Sequence, residues 1–418
     1  MQDISGECAP PQTKRVLFGT LHYGWIVVAV GVLVIFTGIG LARFAYTVLL
    51  PGMREGLGLR YDKMGFIGTG NFIGYLAAIL LCPLLLKRLS FRTAVSVGLT
   101  LIAVCMLGIS FGRSFTMVFL LFALTGMGSG FANLPMMTLI TNWFQREKRG
   151  RAAGLIVMGN GTGIIFVGIL IPFLNRMYGA DGWRHSWLVL GLISLAVAAC
   201  AACFLRNHPG ELGLMPVGRP THAATDQVPS REGCGNGRLL VRIGFLYLIF
   251  GATFMIYGTF IVTTMVSDYG FSEAKAGLYW SWVGFFGLFS GVGFGTLSDF
   301  VGRNRSMALV FSLQTAAYLL AGLKLGSGTL LVSILLYGST IFAIPAIMTA
   351  TVGDYFGPTR AARAFAIATI FFAFGQITGP ATAGLIAGAQ GTFTSAYLLA
   401  SLLTAIAAII AIMLPPPQ

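Results

Sequence analysis

The stretch GIGLARFAYTVLLPGM, residues 38–53, places one arginine, Arg43, inside a run that is otherwise uncharged from Trp25 to Leu50. An arginine cannot escape an apolar setting by losing its proton, and at the centre of a membrane helix it costs about 2.5–3.5 kcal/mol on insertion scales. Relief has to come from water, from helix-end carbonyls or from an anionic ligand. A protein carboxylate is not available at that depth. All 13 acids lie in tails, in loops or at the ends of apolar stretches, with Asp268, Asp299 and Asp354 closest to them. The same absence removes the buried carboxylate that carries the proton in many coupled carriers. Counting 1.5 Å per residue back from Pro51 puts Arg43 about 12 Å inside the outer helix end. Gly40, Tyr46 and Thr47 stand three or four residues from it, so that helix face is expected to line an aqueous cavity.

Other polar side chains at comparable depth are Asn71, Tyr75, Asn133, Asn160, Tyr257, Trp280, Trp282, Tyr337 and Gln376. The expected substrate contacts are Arg43, Tyr46, Asn133, Asn160, Tyr257 and Gln376. An amide at membrane depth serves equally well as glue between helices, and an aromatic as packing. The four histidines sit in loops or near helix ends, and Cys200-Ala-Ala-Cys203 has no second pair or histidine beside it. No metal, cofactor or enzymatic chemistry is therefore expected.

These residues must be held by membrane helices. Of 418 residues 56% are hydrophobic and only 10% charged, where a soluble chain carries roughly a quarter. Twelve stretches are long enough to cross a bilayer as helices, the first at 24–50 and retained rather than cleaved. The expected fold is an all-α integral membrane protein of twelve transmembrane helices in two six-helix pseudo-repeats: a tail at 1–21, one half at 22–205, a linker at 206–238 rich in Pro, Gly and charge, and a second half at 239–418. If both termini are cytoplasmic, 18 of the 27 Lys and Arg fall on inner segments and 8 on outer loops, the bias the positive-inside rule requires. The net charge of +14 is scattered over short loops, so nucleic acid is not an expected partner. A monomer in the cell membrane, contacting lipid, is.

The halves align at a shift of 212 residues. NWFQREKRGRAAG at 142–154 falls on DYFGPTRAARAFA at 354–366, Gly65 on Gly277 and Gly163 on Gly375. Between stretches 8 and 9, GTLSDFVGRNR supplies Gly295, Asp299, Gly302, Arg303 and Arg305, in which glycines permit a tight turn and the charges can exchange salt bridges at the cytoplasmic face. This resembles the G-x-x-x-D-R-x-G-R-R gate motif of the major facilitator superfamily, with Phe300 replacing its first arginine. The first-half counterpart, PLLLKRLSFR, has Lys87 at the Asp299 position. Glycine pairs such as Gly126/Gly130 and Gly159/Gly163, and the run Gly287/Gly291/Gly295, are expected to be close-packing seams.

HYGWIVV, RFAYTVLLPGM, RGRAAG, GWRHSW and GTFIVTTMVSDYGFS, in that order, are similar to the monocarboxylate and oxalate/formate branch of that superfamily, and closest to its YbfB/YjiJ-like members. The resemblance implies a secondary transporter working by alternating access, with the substrate between the halves. It also implies that Arg43, placed after Trp25 as a helix 1 lysine is placed in eukaryotic monocarboxylate carriers, faces an anion. Those carriers have further basic residues on helix 8 or 11, absent here, so one negative charge is expected on the cargo. The expected function is transport of a small organic anion, a monocarboxylate, with any coupled proton riding on the cargo. The alternative is an exporter of drugs or amphiphiles in which Arg43 is structural.

Overall fold

The computed structural model describes residues 22–218 and 236–415; the tail at 1–21 and the linker from 219 to 235 lie outside them. The described residues form twelve long helices: α1 Tyr23–Leu57, α2 Tyr61–Leu86, α3 Phe91–Ser110, α4 Phe115–Trp143, α5 Arg146–Tyr178, α6 Gly182–Phe204, α7 Gly237–Ser267, α8 Glu273–Val301, α9 Arg303–Leu323, α10 Ser327–Gly357, α11 Thr359–Gln390 and α12 Thr394–Ile412. Every one contains an apolar window long enough to span a bilayer, α5 and α6 being parted only by the 3₁₀ turn Gly179–Asp181. Polar residues in the turns start them. Ser90, Ser114, Asn236 and Ser272 each accept a hydrogen bond from a backbone N–H of the first turn.

The first helix is longer than its sequence pattern suggests. It runs through Pro51 to Leu57, so Arg43 stands twenty residues from its start and fourteen from its end, near the middle rather than close to an outer end at Pro51. Proline is tolerated there because neighbouring helices re-satisfy the freed backbone. Midway, Phe36–Leu41 forms a π-helical stretch, a widened turn of the kind that recurs at functional sites.

The 212-residue repeat is visible in three dimensions as matched contacts. A methyl added at Gly65 of α2 would fall 2.3 Å from the Pro380 carbonyl oxygen of α11; one added at Gly277 of α8 would fall 2.3 Å from the Gly168 carbonyl oxygen of α5. Both positions and both partners are related by the shift. Inside the halves, Gly163 abuts Gly40 while Gly375 abuts Ala252, again equivalent pairs. Gly126 meets the backbone of Asn71, and its equivalent Gly338 meets Val283. Gly159, Gly126 and Gly130 are close-packed seams as their spacing suggests, whereas the run from Gly287 loosens until Gly295 faces only Ala346 at 3.8 Å.

The seams are stiff. At Gly126 an added methyl would sit 1.9 Å from the Asn71 carbonyl oxygen, an overlap that only separation of α2 and α4 relieves. Gly126→Ala is expected to cost about 1–3 kcal/mol of stability, measurable as a lowered melting temperature in detergent and reduced folded yield.

Contacts between the halves gather on one side. Thr47 donates to the Gly258 carbonyl (2.6 Å), Thr69 to Ile377 (2.8 Å), Ser281 to Ile165 (3.1 Å) and Asn175 to Glu273 (2.7 Å). On the opposite face, which carries the described start of the linker, the halves part. That linker start is not a free spacer. Val217 pairs with the strand-like Phe144, Trp143 Nε1 donates to the Arg206 carbonyl at 2.8 Å, and Leu205, Pro209, Leu214 and Val217 are buried against the first half.

Candidate substrate site

Between the halves lies a cavity of about 860 Å³, open toward the linker side, with Ile39, Arg43, Tyr75, Asn160, Tyr247, Phe372 and Gln376 in its wall. Arg43 follows directly on the widened turn of α1. Gly40 is used up against Gly163 of α5, and the guanidinium turns to α2, where its carbon lies 4.7 Å from the Phe72 ring centroid and 4.8 Å from that of Tyr75. Two ring faces offer a cation partial compensation, of the order of 2 kcal/mol for a desolvated pair. Nε and Nη2 of Arg43 have no hydrogen-bond partner among the described residues, so carbonyl capping does not account for the side chain.

The remaining expected contacts divide. Asn160 and Gln376 share the cavity wall with Arg43. Tyr46 points away, donating to the Met64 carbonyl at 2.7 Å, and Thr47 is committed to Gly258. The expected water-lined face of Gly40, Tyr46 and Thr47 is therefore protein-packed. The widened turn and the α7 contact leave beside it only an enclosed void of about 10 Å³, room for about one water, which Arg43 and Asn71 also line. Asn133 stands behind the wall, donating to the Tyr75 hydroxyl at 2.8 Å. Tyr257 is buried among Tyr318, Tyr337 and Tyr397, its hydroxyl 2.7 Å from Ser333 Oγ.

Three wall residues carried no distinctive sequence signal: Tyr247, Phe250 and Phe372. Tyr75 was recognisable only as one polar side chain among several. Its position beside Arg43 follows from α2 packing on α1, which spacing does not encode. None of the cavity-lining side chains is acidic among the described residues.

The gate-motif residues assemble at the linker-side end of the second half. Gly302 takes φ 96°, open to glycine, and lets α9 start at once. Arg303 is bonded to Asp299 and lies 2.8 Å from Asp354 of α10, tying α8, α9 and α10 together; Arg305 is exposed, and Gly295 lies on the α10 side of α8. In the first half Arg92 instead donates to the Ala202 carbonyl at 2.8 Å, with no carboxylate.

Residues 35–412 match the family model described as the uncharacterised MFS-type transporter YbfB. The chain belongs to the YbfB family of major facilitator transporters. This YbfB-family chain is thus a multi-pass membrane transporter and not an enzyme. It is 23% identical to human monocarboxylate transporter 2 over 401 residues, covering 90% of this chain and 82% of the relative. It is 22% identical to a hexuronate transporter of Bacillus subtilis, covering 90% and 91%. Among solved structures, the nucleoside transporter NupG superposes with a TM-score of 0.71 at 14% identity, over 94% of this chain and 99% of that one. A bacterial homologue of the lysosomal transporter Spinster, inward-facing and occupied, gives 0.69 at 15% identity, over 94% and 96%. At these identities the solved structures speak to the fold alone.

Proposed function

We propose that this YbfB-family chain carries a small organic anion, a monocarboxylate, across the plasma membrane by alternating access. One observation carries the reading: Arg43 is a fixed cation in the wall of the cavity between the halves, and the described residues supply it with no anion. A single carboxylate fits that deficit, and the monocarboxylate and hexuronate transporters among the relatives are named for acids. A cationic amphiphile would be repelled at the same place, which disfavours the exporter reading. With both termini cytoplasmic, as the distribution of Lys and Arg favours, the conformation described above is open inward. Because no wall residue is acidic among the described residues, a coupled proton does not pass through a wall carboxylate. Asn160 and Gln376 supply neutral hydrogen bonds from opposite halves, and Tyr46, Asn133 and Tyr257 hold the wall from behind.

The test is uptake of a panel of radiolabelled carboxylates into proteoliposomes under an imposed pH gradient. Uptake of a proton-coupled anion is expected to rise as the outside pH falls below that inside, and to collapse when a protonophore dissipates the gradient. Transport of cationic dyes with no carboxylate would overturn the reading.

A further inference from the structure

The two walls of the cavity are built from equivalent positions and yet differ in chemistry. Under the 212-residue shift Arg43 corresponds to Met255, Asn160 to Phe372 and Tyr75 to Gly287. Wherever the first half offers a polar group to the cavity at these positions, the second offers an apolar one or none. The second half adds rings of its own. Tyr247, Phe250 and Phe254 fall at i, i+3 and i+7 on one face of α7, where the equivalent residues of the first half are Ile35, Gly38 and Ala42. They form a near-parallel stack with Phe372 of α11. Tyr247 and Phe372 are 4.4 Å apart at 16°, Phe250 and Phe372 are 5.8 Å apart at 12°, and Phe250 and Phe254 are 5.3 Å apart at 17°. All four rings border the cavity, and Phe372 is the least buried of them.

The polar wall offers a carboxylate its partners at Arg43 and Tyr75, and Arg151 of the same half also borders the cavity. The Tyr75 oxygen accepts from Asn133, so its own proton is free to donate beside the Arg43 guanidinium. Facing it, a volume of about 860 Å³ is far more than a three-carbon acid fills, and among the described residues the second-half wall offers only Gln376 and the Tyr247 hydroxyl as polar groups, so a polyhydroxylated acid would leave most of its hydroxyls against apolar surface.

Resting on the monocarboxylate reading above, we infer that the cargo is an aryl monocarboxylate: its carboxylate meets Arg43 and Tyr75 on the first half, and its ring extends the Tyr247–Phe372–Phe250 stack on the second. Such a molecule touches both halves at once, which is what coupling occupancy to their rocking requires.

The test is competition among phenylacetate, hexanoate and lactate for uptake into proteoliposomes. Phenylacetate is expected to half-saturate at about one tenth of the lactate concentration, the value of one good ring contact. In Phe372→Leu that preference is expected to shrink to within about twofold while lactate uptake persists, which also shows the variant is folded. If that variant does not insert, Tyr247→Leu reports the same loss. Tyr75→Phe is expected to weaken all three acids alike. Equal handling of hexanoate and phenylacetate, or a preference for lactate, overturns the aryl assignment and leaves the monocarboxylate reading standing. Absence of uptake for every acid, with Arg43→Gln indistinguishable from wild type, instead defeats the reading underneath.

Discussion

Arg43→Gln is expected to abolish carboxylate uptake without harming the fold. The guanidinium is the fixed charge of the cavity wall that sits midway along α1, Arg151 of α5 being the other charged residue in that wall, and truncating one partner of a buried, hydrogen-bonded charge pair costs 2–5 kcal/mol, a loss of at least about 30-fold. Glutamine keeps length and a donor but not the charge. Stability should change little, because Nε and Nη2 have no hydrogen-bond partner to lose among the described residues and the relieved desolvation offsets the lost contacts with the Phe72 and Tyr75 rings. Uptake is therefore to be read beside the melting temperature of the purified variant. A normal melting temperature with lost uptake identifies the arginine as a binding group, while a lowered melting temperature with normal uptake per folded molecule would make it structural. Arg43→Lys is expected to restore uptake only in part, since an ammonium neither spreads over both the Phe72 and Tyr75 rings nor grips a carboxylate with two parallel bonds.

Gly65→Val is the second large effect. The closed side of the molecule depends on α2 touching α11 with no side chain between them: an added carbon would lie 2.3 Å from the Pro380 carbonyl oxygen and 3.0 Å from Gly384 Cα. Both obstacles are backbone, so the only remedy is to part the helices. The variant should abandon the conformation described above for one open on the other side, and net transport should fall to near background because the cycle cannot complete. Spin labels at the exposed Arg60 and Gln390 would report a longer separation in Gly65→Val than in wild type. Gly277→Val, its equivalent in the other half, opposes Gly168 in the same way and should give the same result. An unchanged label distance together with full transport would refute the claim that these two seams are the closing surfaces.

Much of this architecture can be read from the residues. Hydropathy alone delimits the helices, because backbone groups in lipid leave no other spanning structure. The shift that pairs Gly65 with Gly277 and Gly163 with Gly375 also pairs their neighbours in space, since a duplicated helix pair repeats its contacts. Arg43 stands out because charge at depth is costly. What spacing conceals is which way a side chain turns. A helical wheel does place Tyr46 and Thr47 beside Arg43, but the face they share is covered by α2 at Met64 and by α7 at Gly258, so it is packed rather than wetted. Tyr257 and Gln376 look alike in sequence, polar groups in apolar helices, yet one is locked in a tyrosine cluster and the other borders the cavity. The aromatic stack has no signature at all, for Tyr247, Phe250 and Phe372 are unremarkable in a chain with 33 phenylalanines and become a surface only when α7 meets α11.

The aromatic shelter of Arg43 has a consequence for biogenesis. Phe72 and Tyr75 belong to α2, which leaves the ribosome after α1, so the arginine reaches the insertion machinery before its shelter exists. Nothing local offsets the charge at that moment except the rest of its own helix. The most apolar window of α1 has a mean hydropathy of 2.5, against 1.2 for α8 and no more than 2.4 for any other spanning segment. The helix that carries the ionic group thus also contains the most apolar spanning window, which lets the nascent chain commit to the bilayer first and acquire its ring partners afterwards.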